Sequence, residues 1–396
     1  MFMRRYKSPR GARLVGPLDK FPVCRSSLLL AFLRLITLNS HNLGATLKRF
    51  LLLQLFVVSI CWAQGEVVTV PVGFNTATVP AAASNTSPSS TVISVPFYAT
   101  AAFESLISSV DSSNQISVSG AAFTTNQWVP ASPAETYLAR LKSGMSVGRF
   151  FLITSNTATQ LTLDTVTAGY TLVTSSPTTS QIQVNVGDQV EILPANTLAS
   201  LFGSTAATVP FLQAASAGAA DNIYLFNGIA FDVYFFNGTS WRKSGSLANQ
   251  NNTVILPDRG VFIVRRGTTP LNLTFLGTVP STTEQTDITG PGSTFRSNRF
   301  PVDFTLAGTN PLNLQLLPNW LGGASASAAD DVYLWNGTGW SVYFYNNSTG
   351  HWRKSGSLND QDTQPVPSGA AMFIVRQSTA QGSTSTLVQL LPYPLN

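Results

Sequence analysis

One aromatic-rich block occurs twice in the second half of this chain. Residues 216–247 and residues 325–358 share the pattern AAD…YL[FW]NG…VYF…WRKSGSL. Repetition this close within one chain predicts two copies of one supersecondary unit. The second copy is longer by two residues between Asn346 and Trp352, and an insertion of this kind indicates a loop. Because a solenoid needs at least three repeats, we expect a pair of packed sheets or two small domains.

Each copy reads as a meander of short antiparallel strands. The first strand follows an aspartate, Asp221 or Asp330, and ends in an Asn-Gly pair at 227–228 or 336–337. An Asn-Gly pair between apolar runs supplies the positive φ angles of a tight hairpin. The chain then returns through a second aromatic strand, and each copy closes on an identical FIVR strand.

The composition predicts an all-β fold. Ser, Thr, Asn, Gly and Val are abundant, charged residues are scarce at 10%, and almost no stretch after position 64 has the apolar period of a helix. The fold class that we predict is a small N-terminal barrel or sandwich followed by two repeated aromatic-rich antiparallel β units. Five strands are expected in the barrel or sandwich, at 115–118, 137–142, 149–154, 160–164 and 189–193.

The predicted segments follow from these patterns and from changes in composition. A stretch rich in Thr, Ser, Gly and Pro, 277–297, is expected to be the loop between the two units. The segments are an N-terminal extension (1–46), a signal peptide (47–63), a linker with edge strands (64–95), a first β domain (96–194), β repeat 1 (195–303) and β repeat 2 (304–396).

Residues 47–63 have the layout of a secretory signal peptide. Lys48 and Arg49 precede an apolar run of eleven residues, and Ala63 ends a cleavage signal, so cleavage is predicted after Ala63. The apolar run is too short for a transmembrane helix, and we expect no membrane span in the mature chain. Translation starts either near Leu47, at a non-AUG codon, or at Met1 with a long leader. The predicted location is secreted, periplasmic or at the cell surface.

The charge distribution argues against nucleic acid as a partner. Residues 1–49 hold ten of the 23 basic residues and one of the 18 acidic residues, which leaves 13 basic and 17 acidic residues, a net charge of −4, in the remainder. A nucleic-acid binder carries a basic surface on its folded part. Both cysteines, Cys24 and Cys61, lie in the segment expected to be removed, so the mature chain would lack thiols.

Three strings carry a resemblance to a known group of proteins. They are GRFFLITSNTATQLTLD (148–164), VGDQVEILPANTLASLFG (186–203) and the paired AAD…YL[FW]NG…WRKSGS…FIVR elements. In this combination the chain resembles an uncharacterised family of exported, β-rich bacterial proteins. That family has no established activity, so the resemblance implies export and β architecture only.

The aromatic positions are the candidates for ligand binding. Exposed Trp and Tyr side chains on a sheet can stack on sugar rings, whereas buried ones fill the core of a small β unit. An arginine beside an indole can form a local cation–π contact or bind an acidic ligand such as a uronic acid. The candidate residues are Trp241, Arg242, Trp335, Trp340, Tyr345, Trp352 and Arg353.

No catalytic constellation is visible. The histidines are His41, in the leader, and His351, in the two-residue insertion, which argues against a histidine-dependent triad or zinc site. Asp221 and Asp330 are interpreted as turn-capping side chains, and the acidic pair at 360–362 lacks the rest of a calcium loop. A glycosidase needs only two carboxylates and stays open as a class. We predict no enzyme activity, no cofactor and no metal.

The function expected from the sequence is that of an exported structural or adhesive β protein. Its partners would be surface polysaccharide or other envelope proteins. A glycan-binding module is the alternative, and it requires two or more exposed, coplanar Trp or Tyr rings in a shallow groove. A carboxylate-dependent glycosidase is the third class, and it requires two carboxyl groups facing each other across a cleft, about 5 to 10 Å apart.

Overall fold

The computed structural model describes residues 71–129, 135–165, 169–178, 180–377 and 384–394, and the predicted signal peptide and N-terminal extension lie outside them. Strands dominate the described residues, and the all-β prediction is confirmed. The strands are β1 (Val72–Val79), β2 (Ser89–Ile93), β3 (Phe103–Ser112), β4 (Gln115–Val118), β5 (Tyr137–Leu141), β6 (Phe150–Asn156), β7 (Gln160–Leu163), β8 (Thr171–Val173), β9 (Gln181–Gln183), β10 (Gln189–Pro194), β11 (Asn222–Phe226), β12 (Phe231–Phe236), β13 (Trp241–Lys243), β14 (Val261–Arg265), β15 (Leu271–Thr278), β16 (Glu284–Ile288), β17 (Gly292–Ser297), β18 (Phe304–Thr305), β19 (Asp331–Trp335), β20 (Trp340–Asn346), β21 (His351–Lys354), β22 (Pro365–Val366), β23 (Ala371–Arg376) and β24 (Ser385–Gln389). Helical structure in this part of the chain consists of α1 (Leu198–Phe202) and 3-10 turns at Leu314–Leu316 and Ala326–Ala328.

Six strands close into a barrel in the order β10-β3-β4-β7-β6-β5. Five of them, β4, β5, β6, β7 and β10, begin and end within two residues of the predicted strands. The sixth, β3, was missed because its sequence, FESLISSVDS, is polar at most positions and its one buried side chain is Ile107. Apolar side chains that alternate along the strands fill the barrel, as the period of two requires.

Two five-stranded antiparallel sheets follow the same plan. Their orders are β13-β12-β11-β14-β2 and β21-β20-β19-β23-β17. The registers correspond as well, since Tyr224 lies opposite Val233 in the first sheet and Tyr333 lies opposite Val342 in the second. Each sheet packs one face over its own apolar core. Each copy of the aromatic block therefore supplies three corresponding strands to its sheet, and the FIVR strand that follows each block adds a fourth.

The first sheet is assembled from two distant parts of the chain. Its edge strand β2 pairs with β14, and β1 forms a ribbon with β15, so all the barrel strands lie in sequence between β2 and β11. In the second sheet the edge strand β17 precedes β19 in the chain, with the short strand β18 between them. The prediction that 277–297 is a loop was wrong, because this stretch contains β16 and β17. Thr and Ser are compatible with strands, and the partners β23 and β24 become neighbours only in the folded chain.

The Asn-Gly turns differ in detail from the predicted hairpin geometry. Gly228 and Gly337 have φ angles of 103° and 99°, whereas the preceding asparagines do not have positive φ. The Asn227 side chain instead accepts hydrogen bonds from the backbone N–H groups of Ile229 and Ala230, at 3.0 and 2.9 Å. The asparagine thus closes the turn with its side chain, and only the glycine needs the left-handed conformation.

Candidate functional site: an aromatic interface and an arginine-lined pocket

Trp241 and Trp352 lie at the centres of the two sheet cores. Both are 0% exposed. The Trp241 indole N–H donates to the carbonyl oxygen of Gly203 at 2.8 Å, and the Trp352 indole N–H donates to the Gln315 side chain at 3.2 Å. Neither ring can stack on a ligand. Their interpretation as ligand-binding candidates is corrected here, because alternation along the WRK strand turns the indole inward.

The polar candidates beside these indoles serve local packing. Arg353 forms an ion pair with Asp360 at 3.0 Å, and Tyr345 packs edge-on against Trp352 with the ring centres 5.9 Å apart. Arg242 is half-buried. The cation–π pairs of the described residues involve other arginines, so neither Arg242 nor Arg353 lies over the neighbouring indole.

Trp335 and Trp340 are half-buried and pack against each other edge-on, with ring centres 5.3 Å apart and planes at 71°. Both also contact Phe262 of the first sheet, at 5.4 Å and 6.4 Å. Two rings at this angle do not form the flat platform that stacking on a sugar requires. The structure instead uses them to join the two sheets.

These tryptophans belong to a continuous aromatic interface between the outer faces of the two sheets. Phe226 lies 5.3 Å from Phe373, and Phe231 lies 5.9 Å from Phe295, all in edge-to-face geometry. Such pairs contribute about 0.5–1.5 kcal/mol each beyond the area that they bury. The aromatic interface consists of Tyr224, Phe226, Phe231 and Phe262 from the first sheet and Phe295, Trp335, Trp340 and Phe373 from the second.

A buried charge network, which the sequence analysis missed, lies where the barrel meets β16. Glu284 is 0% exposed and forms ion pairs with Arg140 of β5 and Arg299. The Tyr98 hydroxyl donates to the same carboxylate at 2.8 Å. Burial raises the pKa of Tyr98 to about 12. Arg140 also donates to Glu191 at 2.7 Å. The three residues that contact Glu284 come from separate segments of the chain, so no local pattern reveals them.

A pocket of about 220 Å³ lies next to this network. On one wall Arg149 binds Asp287 through two hydrogen bonds of 2.6 and 2.9 Å, and its guanidinium lies 5.3 Å from the centre of the Tyr170 ring. Burial raises the pKa of the Tyr170 hydroxyl, and Asp287 adds to this effect. Arg149 therefore has its charge compensated by Asp287.

Arg296, Arg259 and Asp258 also line the pocket. The Arg296 Nε donates to the Asp287 carbonyl oxygen at 2.9 Å, but its Nη1 has no hydrogen-bond acceptor and lies 3.6 Å from Asp258 Oδ2. Arg259 Nε lies 3.5 Å from Asp258 Oδ1. Burial would raise the pKa of Asp258, but the three arginines Arg296, Arg259 and Arg299 outweigh it and lower this pKa to about 2. Burial also lowers the pKa of Arg296 to about 10.

The protonation of this pocket suits binding more than proton transfer. With a pKa of about 2, Asp258 is ionised at neutral pH and cannot act as the general acid of a glycosidase. Asp287 is engaged by two hydrogen bonds from Arg149. The side chains that line the pocket thus carry fixed charges of both signs, with one more cationic side chain than anionic ones.

The acidic pair around position 361 supports the backbone. Asp362 Oδ1 accepts from the backbone N–H of Trp352 at 2.8 Å, as Asn251 does from Trp241 at 2.9 Å in the first sheet. His351 Nδ1 lies 2.7 Å from the other Asp362 oxygen, and this hydrogen bond raises the pKa of the histidine. The described residues contain no group of three or more His, Cys, Asp and Glu side chains placed to hold a metal ion.

No helix in the described part of the chain has the length and apolar character needed to cross a membrane. Comparison with known proteins found no matching family model, no matching curated protein and no matching solved structure. The resemblance to an exported bacterial family therefore stays a prediction.

Proposed function

We propose that this chain is an exported, non-enzymatic β protein with a structural or adhesive role. The observation that carries the proposal is the aromatic interface. Its eight rings pack one sheet against the other, and Phe295, near the middle of the cluster, is 0% exposed. Aromatic side chains used in this way make a stiff two-sheet body, which suits a protein that contacts other surface components through its exposed surface.

The competing functions have weaker support. A glycan-binding module needs coplanar exposed rings, and the two tryptophans that crowd the second block, Trp335 and Trp340, are half-buried and meet at 71°. A glycosidase needs a carboxyl group that is protonated at neutral pH. Asp258, the pocket carboxyl whose pKa is lowered to about 2, is ionised at neutral pH.

The test replaces Trp335 and Trp340 together with alanine in the full chain. If the rings are structural, the double variant unfolds at a markedly lower temperature, because truncation of a large packed aromatic side chain costs about 3–5 kcal/mol at a buried site and less at a half-buried one. Ile229→Ala is the control, since Ile229 is 93% exposed in the corresponding turn of the first sheet and its loss should leave the melting temperature unchanged.

A glycan array with the same three proteins separates the functions. The structural proposal predicts no specific glycan signal from the parent chain. Specific binding by the parent that disappears in a double variant with an unchanged melting temperature would refute the proposal and establish a glycan-binding module. Export is tested independently by fractionation of the native host, where retention of the whole protein in the cytoplasm would contradict the proposed location.

A further inference from the structure

The pocket described above combines charged groups and apolar surface in one place. Arg149 and Phe150 come from the barrel, Arg296 comes from β17, and Asp258 and Arg259 come from the loop before β14. Its volume is about 220 Å³. A single small ring or a short chain fits this space.

The arginines that line the pocket differ in unused hydrogen-bonding capacity. Arg149 binds Asp287 through two of its nitrogens and Gln285 through a third, at 3.2 Å. Arg259 contributes only one contact, Nε at 3.5 Å from Asp258 Oδ1, and its side chain is 35% exposed. The terminal nitrogens of the Arg259 guanidinium thus have no hydrogen-bond acceptor among the described side chains, and they are free to bind a ligand.

Arg296 strengthens this side of the pocket. Its side chain is 5% exposed, and Nη1 has no hydrogen-bond acceptor although it is removed from water. A buried guanidinium nitrogen without an acceptor is costly. Asp258 is the single carboxylate that Arg259 and Arg296 share, so the two cations together carry one uncompensated positive charge.

We propose that this pocket binds a small organic acid of about the size of one sugar acid. The carboxylate of the ligand would bind Arg259, because a planar guanidinium group can donate two parallel hydrogen bonds to the two carboxylate oxygens. The uncompensated positive charge beside Arg296 would also attract the carboxylate. Phe150 and Leu256 provide apolar surface for the body of the ligand, and Thr289 provides a polar group for one of its hydroxyls. This inference is independent of the proposed structural or adhesive role.

Isothermal titration of the full chain tests the proposal with three probes. D-glucuronate is the organic acid, D-glucose is its neutral analogue, and inorganic phosphate represents an anion without an organic body. The expected result is measurable binding of glucuronate, with no detectable binding of glucose and weaker binding of phosphate. Failure of glucuronate to bind, or equal binding of glucuronate and glucose, would overturn the proposal. Binding of phosphate as tight as that of glucuronate would reduce the site to one for inorganic anions and would also overturn it.

Substitutions then locate the site. Arg259→Gln should weaken glucuronate binding at least about tenfold, because a hydrogen-bonded charge is lost, and Arg259→Lys should weaken it less. The matched control is Arg353→Gln, which removes an arginine that forms an ion pair with Asp360 outside the pocket, and it should bind glucuronate like the parent. Circular dichroism shows whether the variants are folded. Undiminished binding by a folded Arg259→Gln variant would place the ligand elsewhere and refute the assignment.

Discussion

Asp330 and Arg376 form an ion pair in which both side chains are 0% exposed, with Asp330 Oδ2 2.8 Å from Arg376 Nε. The first sheet contains the same pair, Asp221 with Arg265, at 2.5 Å. Each aspartate also accepts a backbone N–H from a leucine nine residues earlier, at 2.8 or 3.0 Å. The Asp of the AAD element and the Arg of the FIVR element are thus the two partners of one buried contact, which explains why both are retained in the two blocks.

Loss of the carboxylate from this pair should be strongly destabilising. Asp330→Ala would leave the Arg376 charge buried without its partner, so we expect the free energy of unfolding to fall by about 3–5 kcal/mol. Urea denaturation followed by circular dichroism measures the change. The control is Asp360→Ala, whose partner Arg353 lies nearer the surface and whose own side chain is 55% exposed. The control should change stability by about 1 kcal/mol or less, and equal losses from the two variants would contradict the prediction.

The neighbouring Asp331 should make stability depend on pH. Burial raises the pKa of this carboxyl to about 7, and its Oδ1 has no hydrogen-bond donor. Between pH 4 and 7 the folded chain therefore holds a proton that the unfolded chain has lost, so this residue lowers the stability progressively as the pH rises through that window. Asn222 occupies the corresponding position in the first sheet, where its amide donates to Ala217 and accepts from Arg266.

Asp331→Asn should remove this effect. The variant should match the parent near pH 4 and exceed it above pH 7 by on the order of 1–4 kcal/mol, because the cost of burying an ionised carboxylate is gone. Urea denaturation at pH 4, 5, 6, 7 and 8 provides the test. A stability difference that is independent of pH would show that Asp331 ionises normally in the folded chain.

Glu284 should be essential for the attachment of β16 to the barrel. Glu284→Gln keeps the shape of the side chain but removes the negative charge that Arg140 and Arg299 share. Arg299 would then lose its ion-pair partner and Arg140 would keep only Glu191, so we expect a loss of about 3–5 kcal/mol in the free energy of unfolding. Glu104→Gln is the control, because Glu104 forms an ion pair with Lys142 on the exposed side of the barrel and its side chain is 44% exposed. A small loss for Glu284→Gln would contradict this role.

Alanine substitutions at two glycines near the barrel strands allow two costs to be measured separately. One is the cost of an unfavourable backbone conformation, and the other is the cost of a steric contact. Gly148 and Gly187 both have positive φ, at 82° and 91°. A Cβ atom on Gly148 would lie 2.4 Å from the carbonyl oxygen of Thr283, whereas a Cβ atom on Gly187 would meet no atom within 4 Å. Gly187→Ala should therefore cost only the conformational term, about 1–2 kcal/mol. Gly148→Ala should cost clearly more, as measured by thermal and urea denaturation, and equal losses would exclude the steric contact.

Much of the fold could be predicted from local sequence. Five barrel strands and both aromatic meanders follow from alternation of apolar residues and from turn residues, which act over a few positions. The capping role of Asp221 was also predicted, since an aspartate directly before a strand commonly binds nearby backbone N–H groups. The ion pair between Asp221 and Arg265 was not predicted, because three strands separate the two residues in the sequence.

The candidate site could not be predicted in this way. Trp241 and Trp335 both lie in strands of the aromatic blocks, yet one fills a core and the other joins two sheets. Burial of an aromatic ring depends on which surface covers it, and that surface comes from elsewhere in the chain. The Glu284 network and the arginine-lined pocket likewise form only when distant segments meet in the folded chain, since their residues come from the barrel, the loop before β14, and β16 and β17.

The sequence by itself determined the class of structure, the position of most strands and the correspondence of the two aromatic blocks, because these depend on the period of apolar residues and on turn chemistry. Only the tertiary structure decided that β2 completes the first sheet across the barrel strands, that the aromatic rings face one another, and that three arginines line one pocket. The physical reason is that strand pairing and charge burial couple residues at any separation along the chain, and no short sequence pattern records them.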